Sequence, residues 1–223
     1  MACTLLSRAS PGVAQAKWSM MKVRFGYFFS TGSIRAGPLR LQTATAMSWS
    51  MNEPEHQKLL AEGAFEPVWK ACIDQDMAVA VWTRSGPALM EPVLKKYPNL
   101  TFIIDHFAWA TPGEARERKV LAMESLARFR NVHVKVSSLP LVSGSAPPEY
   151  EDLHPLIKRV HAAYGAERLM WGSDQTQTMG KNRGTYAQNA DIIRKYAASY
   201  LPAADVQMMM HGTAARVFKW PAE

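Results

Sequence analysis

A repeating order of elements constrains this chain more than any other feature. Short apolar runs alternate with stretches whose apolar residues recur at helical spacing, at about 25–35 residues per unit. "MAVAVW" (77–82), "LTFIID" (100–105), "VHVKVS" (132–137) and "RLMWGS" (168–173) read as strands, and "GSIRAGPLRL" (32–41) as a strand running into a loop. Helical spacing lies between them. Over 55–75, Phe65, Val68, Trp69, Cys72 and Ile73 form one stripe; Pro92 opens a helix with Val93, Leu94 and Tyr97 inward, and Pro98 ends it. Over 114–129, Val120, Leu121, Glu124 and Phe129 set the period. Over 148–165, Leu153, Leu156, Ile157, Val160 and Tyr164 face inward and Gly165 stops the helix. Two further helices are expected near 185–200 and 204–219.

Strands alternating with helices mean a parallel sheet with crossover helices. An open doubly wound sheet and a (β/α)8 barrel both fit. No G-x-G-x-x-G or P-loop pattern follows any strand, which argues against nucleotide binding. About five strands are legible, whereas a closed barrel has eight. The first strands are either hidden in 1–31 or absent.

Composition adds bounds. At 223 residues with 48% hydrophobic and 20% charged side chains, the chain can bury a real core. No apolar run approaches the roughly 20 residues that span a bilayer. Cys3 and Cys72 are the only cysteines, which suits a reducing, cytoplasmic setting. The net charge of +7 is uneven: residues 1–52 hold Arg8, Lys17, Lys22, Arg24, Arg35 and Arg40 and no acid, leaving +1 for the rest. A balanced body points away from nucleic acid and membrane partners and toward a small-molecule substrate. Residues 1–31 form a basic, acid-free extension, and 32–223 the barrel portion. In composition the extension resembles a mitochondrial transit peptide, although its basic residues share no helical face. A poorly folded or aberrant start is the other reading. "WSMMKVRFGYFF" (18–29) is too apolar for a solvated arm, so part of it is expected to pack.

Three strand ends present polar groups: Asp105 with His106, Lys135 with Ser137, and Ser173 with Asp174. In a parallel barrel such ends converge on one face, so His106 and Asp174 can meet. A carboxylate can take a proton from water, and an imidazole can donate to a carbonyl oxygen that is gaining charge. A structural Asp–His hydrogen bond is the competing account. In 132–137 the valines share one face, while His133, Lys135 and Ser137 share the other, as in a polar barrel interior or an edge strand. His56, His154 and His161 sit on helices in capping or surface roles; His211 could line a cleft.

"YPNLTFIIDHFA" (97–108), "NVHVKVSSL" (131–139), "YGAERLMWGSDQ" (164–175) and "HGTAARVFKW" (211–220) follow the order and spacing of the amidohydrolase-related family. These are TIM-barrel hydrolases that include lactonases and metal-dependent decarboxylases. The resemblance runs over roughly 32–220, with "GSIRAGPL" (32–39) similar to the fourth-strand segment and "FEPVWKACIDQDMAVAVW" (65–82) to the helix and strand after it. It implies an α/β fold, an incomplete (β/α)8 TIM-type barrel, and a hydrolase that activates water against a small carbonyl or lactone-type substrate. Its sixth-strand histidine falls on His106 and its eighth-strand, water-activating aspartate on Asp174. Lys135 and Ser137 fall in the seventh-strand motif and are expected to bind substrate.

The departures are equally specific. Family members open with a His-x-His pair, and this chain has none; a fifth-strand histidine ligand is matched by Trp82. Zinc is implied by the resemblance, but a catalytic zinc usually needs three protein ligands. His106 and Asp174 leave that set incomplete, so no metal cofactor is expected and the metal-free lactonase branch fits better. The alternative is an inactive truncated barrel, an interaction subunit or a chain with no activity. Open sheet edges make self-association into a homo-oligomer an expectation.

Overall fold

A computed structural model describes residues 46–175 and 184–220. The strand read at 32–41 and the extension 1–31 lie outside the described residues. Five strands pair in sequence order, all parallel: β1 (Ala46–Ser50), β2 (Ala78–Trp82), β3 (Phe102–Ile104), β4 (Val132–Ser137) and β5 (Leu169–Gly172). Helices fill every crossover, so the chain is an α/β fold with the winding of a (β/α)8 barrel, of which five strands are described.

The crossovers follow the expected stripes with two corrections. The segment 55–75 is two helices, α1 (Pro54–Ala61) and α2 (Glu66–Asp74), because Gly63 adopts φ +74° and turns the chain between them. α3 (Glu91–Lys96) follows a short 3₁₀ turn, Pro87–Met90. α4 (Ala115–Leu126) buries Lys119, Val120, Met123 and Leu126, while Leu121, expected to face inward with Val120, is 53% exposed. α5 (His154–Tyr164) buries Leu156, Ile157, Val160 and Tyr164, and Gly165 at φ +70° ends it. α6 (Tyr186–Asp191) continues through a π-helical turn, as does α7 (Ala203–Gln207) into α8 (Thr213–Val217).

Alternation along the strands sorts residues onto two faces. Val79, Val81, Phe102, Ile104, Val132, Val134, Val136 and Leu169 pack outward into the main core with Trp69, Leu94, Val120, Met123 and Ile157. Ala78, Ala80, Ile103 and Met170 form a second cluster with Ala214, Val217 and Phe218 of the carboxyl-terminal segment. That segment is tied to the amino-terminal side of the sheet: Thr213 Oγ1 donates to the Ala166 carbonyl at 2.8 Å and Lys219 Nζ to the Asp76 carbonyl at 2.6 Å. The opposite end, where the strands finish, is left to polar residues.

Candidate active site

Three strands deliver the expected residues to one place. After β3, Asp105 accepts the His106 backbone N–H at 3.0 Å and starts a turn in which His106, Phe107, Ala108 and Trp109 all have φ between 48° and 53°. Non-glycine residues rarely adopt this left-handed conformation, at a cost of about 1–2 kcal/mol each. The surroundings enforce it. Phe107 is fully buried, Ala108 N–H donates to the Asp105 carbonyl at 3.1 Å, and Lys119 Nζ reaches from α4 to the Trp109 carbonyl at 2.7 Å. Burial holds the Lys119 ammonium below its ordinary pKa, and Arg118 and Arg84 add to that shift.

Ser138, just past β4, and Asp174, just past β5, are also left-handed, at φ 56° and 48°. Ser138 begins the helical turn Leu139–Val142, taking the Leu141 and Val142 N–H groups on its carbonyl at 2.9 and 3.0 Å. Ser173, beside Asp174, is fixed from α6 by Asn189 Nδ2, which donates to its carbonyl at 2.8 Å. The left-handed backbone at each strand end turns His106, Ser138 and Asp174 toward one another.

The contacts define a proton chain. Ser138 donates its hydroxyl to Asp174 Oδ2 and lies 2.9 Å from His106 Nδ1. A serine has one proton to give, so toward the imidazole its oxygen accepts and Nδ1 carries the hydrogen. His106 Nδ1 is also 3.6 Å from Asp174 Oδ2 and 3.1 Å from Ser137 Oγ. The other ring nitrogen, Nε2, faces Asp105 Oδ2 at 3.5 Å. Ser137 and Ser138 are both fully buried. They support the imidazole and the carboxylate and do not open onto the cleft themselves.

Beneath His106, Lys135 Nζ meets Asp105 Oδ1 at 2.9 Å. Burial of Asp105, 2% exposed, would raise its pKa. The nearby Lys135 ammonium and His106 outweigh that, so the carboxyl is held below the ordinary range and stays charged. Gly172 makes room for this pair: a β-carbon there would sit 3.3 Å from Ser137 Cβ and 3.5 Å from Lys135 Cε. One wall is aromatic. The Trp82 ring lies 6.0 Å from His106 and 5.4 Å from Trp109, edge to face, with the Arg84 guanidinium 5.3 Å over Trp82. Trp82 Nε1 is buried with no hydrogen-bond partner among the described residues.

The structure brings His106, Asp174, Lys135 and Ser137 together at the strand ends. Sequence reasoning missed Ser138, the residue that joins the histidine to the aspartate, although Ser138 stands in the quoted "VSSL" run. The remaining histidines lie elsewhere: His56 Nδ1 is 3.0 Å from the Ser50 carbonyl, His154 Nδ1 3.0 Å from the Tyr200 hydroxyl, and His161 Nε2 2.8 Å from Asp205 Oδ2. His211 is exposed, its ring tilted beside Trp220 at 6.3 Å, away from this site.

Among the described residues no group of three His, Cys, Asp or Glu side chains is arranged to hold a metal ion. Asp105 and Asp174 face different nitrogens of the same imidazole, and Asp105 already holds an ammonium. No helix among the described residues is long and apolar enough to cross a membrane.

Comparison with known proteins places the chain. An L-fucono-1,5-lactonase from Burkholderia ambifaria is 37% identical over 112 residues, covering 49% of this chain and 38% of the lactonase. The chain therefore spans well under half the length of that relative. An amidohydrolase from Burkholderia multivorans with bound HEPES superposes with a TM-score of 0.73 at 19% identity, over 82% of this chain and 67% of that one. A zinc-bound form of a Burkholderia multivorans amidohydrolase gives 0.71, with the same identity and coverage. A putative 2-pyrone-4,6-dicarboxylic acid hydrolase from Pseudomonas putida gives 0.56 at 24% identity, over 80% and 72% of the two chains. At such identities the structures speak for a shared fold alone. Residues 46–220 match the amidohydrolase family, and the chain belongs to it.

Proposed function

We propose that this member of the amidohydrolase family carries the water-activating half of a hydrolase that opens small lactones. The observation that carries the reading is the meeting of His106, after β3, and Asp174, after β5, joined through Ser138 at the end of the intervening β4. In this reading Ser138 occupies Asp174 Oδ2, and the second carboxylate oxygen takes a proton from water. The water oxygen bonds to the lactone carbonyl carbon, and the carbonyl oxygen takes on the negative charge. The Lys135 ammonium supplies the positive side of the cleft toward that oxygen, with the His106 ring beside it. Collapse of the adduct breaks the ring C–O bond, and the proton held on Asp174 passes to the departing ring oxygen, giving a hydroxy acid. Trp82 and Trp109 offer a flat wall for a ring substrate. Ser137 acts by positioning His106, and Asp105 by holding Lys135 and facing Nε2.

Acid release from a panel of sugar lactones and pyrone lactones, followed with a pH indicator, tests this. Turnover is expected for the parent chain, with Asp174→Asn slower by at least about a hundredfold and an unchanged circular dichroism spectrum. A parent chain that binds lactones and turns none over supports the other reading, an interaction subunit.

A further inference from the structure

At the amino-terminal end of the sheet, away from the strand ends that hold Asp174, a pocket of ≈ 400 Å³ is lined by Arg130, His133, Glu167, Arg168 and Arg216. We propose that this pocket is a second ligand site, which takes the phosphoryl group of a small phosphate monoester.

Two independent observations point to it. The first is charge: three guanidinium groups stand against one carboxylate, an excess of two positive charges suited to a dianion. Arg168 is already committed to structure, donating to the carbonyls of Tyr164 at 2.9 Å, Ala127 at 2.8 Å and Ala163 at 3.1 Å. It contributes fixed charge. Arg216 gives one arm to the Glu167 carbonyl, and both Arg130 and Arg216 are exposed enough to turn toward a ligand.

The second observation is His133. It projects from the inner face of β4 and is 7% exposed, yet its Nδ1 is buried with no hydrogen-bond partner among the described residues. The His133 ring lines the pocket, with the Asn131 and Phe102 backbone groups beside it acting on the imidazole without offsetting its burial. Burial pushes the imidazole down to about 4, with Arg216 and Arg168 adding to the shift. At neutral pH it is therefore uncharged and can offer one ring N–H to a phosphoryl oxygen. Glu167 opposes an anion, and its exposed carboxylate can swing outward. The volume exceeds what a bare phosphate needs and accommodates a sugar-sized remainder. The site is independent of the reaction proposed above.

The test is a titration of the full chain with glucose 6-phosphate, and separately with inorganic phosphate, at constant pH and with ionic strength balanced by chloride. The imidazole ¹⁵N resonances are followed, and His133→Gln assigns the signal. A saturable shift of the His133 signal is expected, tighter for the ester than for free phosphate. Arg130→Gln and Arg216→Gln, both surface changes, should each weaken binding about tenfold and leave lactone turnover untouched. A His133 signal that ignores both ligands overturns the site. So does an equal response to chloride, or equal binding by the double variant. Affinity no better for the ester than for phosphate overturns the monoester assignment.

Discussion

Strand β4 places His133 near one end of its inner row and Ser137 at the other, and the two ends solve opposite electrostatic problems. At the carboxyl-terminal end the carboxylates of Asp105 and Asp174 are met by Lys135 and His106 within 4 Å. At the amino-terminal end Arg130, Arg168 and Arg216 surround a histidine. Both Asp105 and His133 have lowered pKa values, with contrary results. Lowering keeps the acid charged, because a cation beside it outweighs burial. Lowering keeps the base uncharged, because burial and cations act together. One end is built to hold ions in the protein, and the other to hold off a charge of its own.

Removing one ion from each end gives the widest contrast. Lys135→Met leaves Asp105 buried without its ammonium and should cost about 3–5 kcal/mol in urea denaturation. Arg130→Gln at the exposed rim should change stability by less than about 0.5 kcal/mol. Equal losses would erase the distinction between the two ends.

Acidification separates them next. His133 falls from an ordinary 6.5 to about 4 in the folded chain, so the unfolded state binds the proton first. Stability from this group is complete above 6.5 and drains away as pH falls toward 4, by ~3 kcal/mol. Asp105, depressed from 3.8, contributes stability that is present above that value and is lost only at still lower pH. Denaturation across pH should therefore show two windows, and His133→Gln should flatten the upper one alone. A variant that still loses stability between 6.5 and 4 would assign that window to another group.

The smallest effect probes packing between the ends. Gly172→Ala sets a methyl group 3.3 Å from Ser137 Cβ and 3.5 Å from Lys135 Cε. It should cost about 1 kcal/mol and shift the melting temperature by a few degrees. A neutral result would show that Lys135 has slack.

Much of this was legible in the sequence because buried parallel strands are written as continuous apolar runs. Four of the five described strands follow that rule. β1, "AMSWS", does not: it is short, with serine at every second position, and carries no apolar run to mark it. On α4 the inward face includes Val120 as its spacing suggests but takes Lys119 in place of Leu121, because the lysine, 6% exposed, serves the Trp109 carbonyl. Asp174 and His106 were visible as polar residues at strand ends. Ser138 was not, since its value lies in partners 32 and 36 positions away along the chain.

His106, Ser138 and Asp174 share a backbone conformation that side-chain-bearing residues avoid. Glycine would relax each position by about 1 kcal/mol. It would also delete the side chains that touch one another at the strand ends. Laboratory evolution for heat resistance alone has a downhill route through these three codons, and would spend the site to reach a hardier fold. Any thermostabilised variant of this chain is best bred with the three positions held fixed.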